Sequence, residues 1–153
     1  MAVVGRAERG RPMNMLPSKK DVLAACRGEI ARDHELLHAI GELARLHAER
    51  LSAICERVAE IDSTRTELTK NIDHWIDRHL PPSHGGARIH TETIGAVVDR
   101  LAQLTAHAHA ILIGPAPPRE LCDAWELVAE LAVAYEDLTD EVAIGHRRLP
   151  GSH

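Results

Sequence analysis

With 153 residues, 44% of them apolar and 27% charged, the chain is long enough for one ordinary domain with a real core and too short for two. A formal net charge of −5, no Phe, one Tyr and two Trp exclude the exposed rings and basic face of a nucleic-acid-binding module. No apolar run is long enough to cross a bilayer, no secretory signal pattern opens the chain, and three cysteines without a CxxC pair are those expected of a cytoplasmic protein.

Met1 to Ser18 mixes Gly, Pro, Arg and Met without periodicity. It reads as a disordered, flexible leader ahead of one helical domain over residues 19–146, with a short flexible tail over 147–153. Ser18 or Asp21 can cap the first helix. No proline then appears until Pro81, and Leu37, Ile40, Ala44, Leu51, Ile54, Val58, Ile61 and Leu68 fall three and four apart, with His47 in one missing place. Glu42, Arg45, Glu49, Glu56, Glu60 and Glu67 take the opposite face. One helix over 20–80 would be about 90 Å long at 1.5 Å per residue, too long for a compact domain. A break is therefore predicted near His47 to Ser52 or at Asp62-Ser63-Thr64, of which only the second carries cap chemistry.

Pro81 to Arg88, with two prolines and two glycines, is a loop. A helix starts around Thr91 to Thr93 with the stripe Ile94, Val97, Val98, Leu101, Leu104, Ala108 and Ile111, and Gly114-Pro115 stops it. The last helix runs from about Arg119 to Ile144 with Leu121, Trp125, Val128, Leu131, Tyr135, Leu138 and Val142 inward, and Gly145 ends it. Nothing alternates with period two, so no strand is predicted. The fold class is all-α, an antiparallel helical bundle of three to four long helices with aliphatic seams. Cys26, Cys55 and Cys122 fall within helical patterns and are read as small buried or half-buried apolar residues.

The run His34-Glu35-Leu36-Leu37-His38 spells H-E-x-x-H, which on a helix puts two imidazoles one turn apart beside a carboxylate, as in zinc hydrolases. With 11 histidines in the chain, chance produces this spelling in about one such sequence in twenty. Helical phase also turns His34 and His38 about 100° and 140° from the seam, while His47 lies within about 40° of it. Ala44 stands where a metzincin has its third histidine, and no sheet precedes the motif. A surface coincidence is favoured over a metal site completed from another helix, and that over a protease. No metal ligand is assigned and no cofactor is expected, a divalent metal such as zinc being the alternative. His47 reads either as a hydrogen-bonded core histidine or as the lining of a polar pocket.

The segment from His84 to Thr93 is the densest in chemistry. Its glycines admit a ligand close to backbone, Arg88 offers a fork for carboxylate or phosphate, and a helix N-terminus follows; Thr91 and Glu92 are equally read as helix capping. Asp73, His74, Asp77 and Arg78 are read as a solvated charged face. His107 and His109 flank opposite sides of their helix.

Ile61-Asp62, then Ile72-Asp73-His74-Trp75-Ile76-Asp77, then His90-Thr91-Glu92-Thr93-Ile94-Gly95-Ala96-Val97-Val98-Asp99-Arg100-Leu101 together resemble a bacterial domain-of-unknown-function family, number 4254, over residues 34–146. The family pattern is an Asn-x-Glu-Thr-Pro-Gly segment leading into an Asp-Arg-Leu helix. Glu92, Thr93, Gly95, Asp99, Arg100 and Leu101 stand where it places them, whereas His90 replaces the asparagine, Ile94 the proline, and Leu46-His47-Ala48-Glu49 lacks the tryptophan of the family's first helix. The resemblance implies a bacterial, cytoplasmic helical protein, an accessory beside glycan or secondary-metabolite genes, and adds weight to His90 through Arg100.

The candidate ligand-binding residues are thus His47, Arg88, His90, Glu92, Thr93, Asp99 and Arg100. The leading expectation is a non-catalytic bundle that binds a small-molecule ligand or a partner protein, as an accessory to a biosynthetic pathway, and forms a homo-oligomer through its long aliphatic seams. Neither nucleic acid nor membrane is an expected partner. The competing expectation is a small enzyme in which His47 or His90 acts as general base, beside Glu92, and Arg88 orients an acidic substrate.

Overall fold

The computed structural model describes residues 16–151. Five helices make up nearly all of it: α1 (Lys19–Cys26), α2 (Glu35–Arg50), α3 (Cys55–His79), α4 (Ile94–Ile113) and α5 (Pro118–Ala143). The four long helices realise the expected all-α bundle. Helix α4 packs against each of the other four, with α2 and α5 as its principal neighbours. Its composition explains the place: Asp99 and Arg100 are its only charged residues apart from histidine, and a helix apolar nearly all round belongs inside. No helix of the described residues is long and apolar enough to cross a membrane.

The helix ends follow local chemistry where it is strong. Ser18 caps α1 by accepting from the Asp21 N–H at 3.1 Å, and Thr93 caps α4 by accepting from Ala96 N–H. Helix α5 closes with the bonds His146 N–H to Glu141 carbonyl and Gly145 N–H to Val142 carbonyl, around Gly145 at φ +80°. The same pair of bonds ends α1 around Gly28, at φ +86°. That makes an additional break, at 27–34, in the stretch expected to be helical from residue 20.

The second break falls at 51–54, the first of the two predicted places, although Ile54 caps α3 without a side-chain bond. Asp62-Ser63-Thr64 is continuous helix. Asp62 is instead a clamp, accepting two bonds from Arg50 across the hairpin at 2.8 and 3.1 Å, while Arg57 binds both oxygens of Glu49. The fold thereby interrupts the seam: Leu37, Ile40, Ala44 and His47 are buried, but Leu51 and Ile54 stand 57% and 71% exposed in the turn.

Two further expectations are corrected. A two-residue parallel pair, β1 (Arg88–Ile89) with β2 (Arg147–Arg148), ties the loop before α4 to the segment after α5. It is too short to leave an alternating pattern. The packed unit also reaches beyond 19–146. Leu16 and Pro17 are buried, Tyr135 donates to the Pro17 carbonyl at 2.7 Å, and Leu149 packs on the core. Residues 1–15 of the expected leader lie outside the described residues. Of the cysteines, Cys26 is buried, with its thiol pushed up to about 11 by burial, whereas Cys55 and Cys122 are exposed on outer helix faces.

Candidate functional site

The H-E-x-x-H does not form a pair of ligands on one helix. His34 precedes α2 in extended backbone and is its cap, its Nδ1 accepting from the Leu36 N–H at 3.1 Å, while its ring packs on Trp75. Trp75 in turn stacks on His79 at 4.1 Å between centroids. His38 is exposed and lies 3.0 Å from Asp33. Among the described residues no group of three or more His, Cys, Asp or Glu is arranged to hold a metal ion.

His47 is buried at 3% exposure and its Nε2 lies 2.8 Å from Oδ1 of Asp99. Arg65 donates to both oxygens of the same carboxylate, at 3.2 and 2.7 Å, and also to Asp62, which Arg50 clamps from outside. The result is a chain, His47–Asp99–Arg65–Asp62–Arg50, joining α2, α3 and α4. Burial pushes the Asp99 carboxyl up, but hydrogen bonds from His47 and Arg65 and the Arg65 charge outweigh it, so it titrates below its ordinary value. Bonds from Arg50 foremost, and from Arg65, bring Asp62 down to about 2. Every strong group here is already occupied by another protein group.

The remaining candidates divide. Glu92 and Arg100 form a two-bond ion pair at 2.7 and 2.8 Å on the surface. Thr93 is the α4 cap. His90 turns back on its own segment, Nδ1 lying 3.1 Å from the Glu92 N–H, and its backbone N–H donates to the Arg148 carbonyl. Arg88 is exposed on β1. Asp99 lies six residues past the Thr93 cap, about 9 Å along the helix, so His47 and His90 work at different levels of the bundle. The structure brings together His47 with Asp99, and Glu92 with Arg100, but not His47 with Arg88, His90 and Glu92.

A pocket of about 420 Å³ opens at the other end of this region, between the C-terminal end of α3, the start of α4 and the segment 147–151. Thr93 is the one candidate residue that lines it. Asp73 and Asp77 project from α3, and Arg147 and Arg148 come from β2. Asp73 corrects the reading of its stretch as a solvated face: it is half-buried, and Oδ1 accepts from the Gly95 N–H at 2.7 Å, adding a second cap to α4 from a neighbouring helix. Burial raises its carboxyl above the ordinary value, against the bonds from Gly95 and the Thr93 hydroxyl. The close approach requires glycine at 95, because a Cβ there would meet Asp73 Oδ1 and the Thr69 carbonyl at 2.6 Å. The sequence signal missed was the pair of arginines after Gly145, while the one-turn spacing of Asp73 and Asp77 reads as a solvated face.

Comparison with known proteins yields no matching curated protein and no matching solved structure. The family model described as protein of unknown function, DUF4254, matches residues 27–112, from the end of α1 to the end of α4, leaving α5 and β2 outside the match. Within it fall Arg65, Asp73, Thr93, Gly95 and Asp99, which join α3 to α4, and Asp62, which joins α3 to α2. Since the match spans more than half of the chain, the protein belongs to the DUF4254 family.

Proposed function

We propose that the protein is a non-catalytic binding module that holds a small molecule in the pocket between α3, the start of α4 and the segment 147–151. One observation carries this reading: the pocket gathers opposed charged side chains around about 420 Å³ of open space, a volume of the size small-ligand sites have. The candidate acid–base groups, by contrast, are each engaged by other protein groups. Buried His47 faces Asp99, and Asp99 is held in turn by Arg65. Service as a cytoplasmic accessory in a bacterial biosynthetic pathway, and assembly as a homo-oligomer, belong to the same proposal.

Ligand-observed NMR against a mixed library of small acids, amines, alcohols and sugars tests the pocket. Ser83 lines the mouth from an irregular loop, so Ser83→Trp fills it without disturbing a helix. The expected result is a set of binders whose signal disappears in that variant. Binders that persist in Ser83→Trp, or a library with none, would overturn the proposal. Light scattering checks the assembly, with a mass of one chain, 16.8 kDa, counting against it.

A further inference from the structure

The two charged walls of the pocket do not neutralise each other. Among the described residues, the only ion pair made by Asp73, Asp77, Arg147 and Arg148 is that of Arg147 with Glu141, outside the pocket lining. Each wall therefore carries an unrelieved excess of one sign.

On the acidic wall, Asp73 and Asp77 stand one turn apart in the last two turns of α3. Like charges at that spacing repel, and carboxylates near a helix C-terminus oppose the macrodipole. The basic wall is Arg147 and Arg148, and Arg88, outside the lining, sits directly in register with Arg147 across the parallel pair. Like charges opposed across strands are unfavourable. No carboxylate among the described residues pairs with Arg88 or Arg148, in a chain whose net charge is negative. Glu141 engages Arg147 through Nε, which orients the guanidinium and leaves its terminal nitrogens for a ligand. The lining also includes Ile76, Leu80, Val142 and Leu149, apolar surface suited to a short hydrocarbon spacer.

We infer that the ligand is dipolar: a phosphate or carboxylate held by Arg147 and Arg148, joined by a short chain to an amine held by Asp73 and Asp77. The inference rests on the pocket reading above and specifies the chemistry that pocket selects. A molecule with both charges relieves both walls at once, whereas either half alone relieves one and leaves the other wall unmet.

The test is calorimetric titration of the full chain with aminoalkyl phosphates of two to six carbons, the matching alkyl phosphates, and the matching alkylamines. One chain length of the dipolar series is expected to bind roughly tenfold or more tighter than either single-charge analogue of that length. Asp77→Asn should reduce it to the affinity of the alkyl phosphate, and Arg148→Gln to that of the alkylamine. Both are exposed, without an ion pair among the described residues, so neither variant should lower the wild-type melting temperature. Equal affinity across the three series, or insensitivity to both variants, would overturn the dipolar assignment. If library binders sensitive to Ser83→Trp exist while no charged series is preferred, the pocket stands and the dipolar inference falls. If nothing binds, both fall.

Discussion

Two aspartates contact α4, one from within it and one from α3, and they are held in opposite ways. Asp99 lies in mid-helix and is enclosed by His47 and Arg65, which outweigh its burial and keep it ionised. Asp73 reaches the start of α4 from α3, accepts from the Gly95 N–H and the Thr93 hydroxyl, and borders the pocket, while burial raises its carboxyl. The first is a joint and the second is an edge of empty space. A charged group whose partners are all internal ties helices together, while one left beside a cavity can still meet a ligand.

The largest effect should come from breaking the joint. Asp99→Ala leaves a buried imidazole and a half-buried guanidinium without their shared carboxylate, at a cost of about 3 kcal/mol. For a chain of this size, that lowers Tm by roughly 6–12 °C. Urea melts of Asp99→Ala, His47→Ala and the double variant should show strong coupling. Additive losses would mean that the pair is not a unit.

Next is the contact that positions Asp73. Alanine normally improves on glycine within a helix, yet Gly95→Ala forces its methyl against a carboxylate and a carbonyl at 2.6 Å. The expected loss is about 2 kcal/mol, as for overpacking elsewhere. Gly85→Ala meets no atom within 4 Å and serves as the control. A stable Gly95→Ala would show that α3 and α4 do not approach so closely.

The opposed shifts also make a pH comparison. The folded Asp99 titrates below its ordinary 3.8, so its contribution is complete above that value and is lost as pH falls through the depressed one. The stability gap between wild type and Asp99→Asn should therefore be full near neutrality and close in acid. The folded Asp73 titrates above 3.8, so its contribution is present below that value and is lost as pH rises through the raised one. Asp73→Asn should gain on wild type as pH rises over that interval. Equilibrium unfolding of both variants across the acid range checks the signs, and parallel curves would remove the distinction between the two sites.

Much of this was legible in the chain because its causes are local. Thr93 at the start of α4 and Gly145 after α5 are capping chemistry within a few residues of the ends they set. The ending at Gly28 was equally local, but a seam counted from Leu37 passes over it. The break at 51–54 has no local signal, since Ile54 offers no cap and the hairpin is held by Arg57 on Glu49 and Arg50 on Asp62. Asp62, which looks like a cap in sequence, is half of that clamp. The inward phase of His47 was visible from periodicity, while its partner Asp99, 52 residues away, was not paired with it. The pocket was the least visible, because Arg147 and Arg148 reach it only through a two-residue pairing with Arg88 and Ile89. Asp73 and Asp77 in turn look like a solvated face, because the bond from Gly95 N–H to Asp73 spans 22 residues.

The smallest effect expected concerns the H-E-x-x-H, and it extends the same distinction between joint and open site. His34 caps α2 through Nδ1 and rests against Trp75, so His34→Ala should cost about 1 kcal/mol as a lost cap. His34→Asn, which can accept from the same N–H, should recover most of it. His38 is exposed and pairs with the exposed Asp33, so His38→Ala should cost about 0.5 kcal/mol or less. A zinc pair would erase this order, because both ligands would matter equally in metal and neither would matter without it. Melting each variant with added zinc and with chelator separates the cases. A cap gives a loss in His34→Ala that is independent of metal, and a zinc-dependent loss shared by His34→Ala and His38→Ala would return the motif to chemistry.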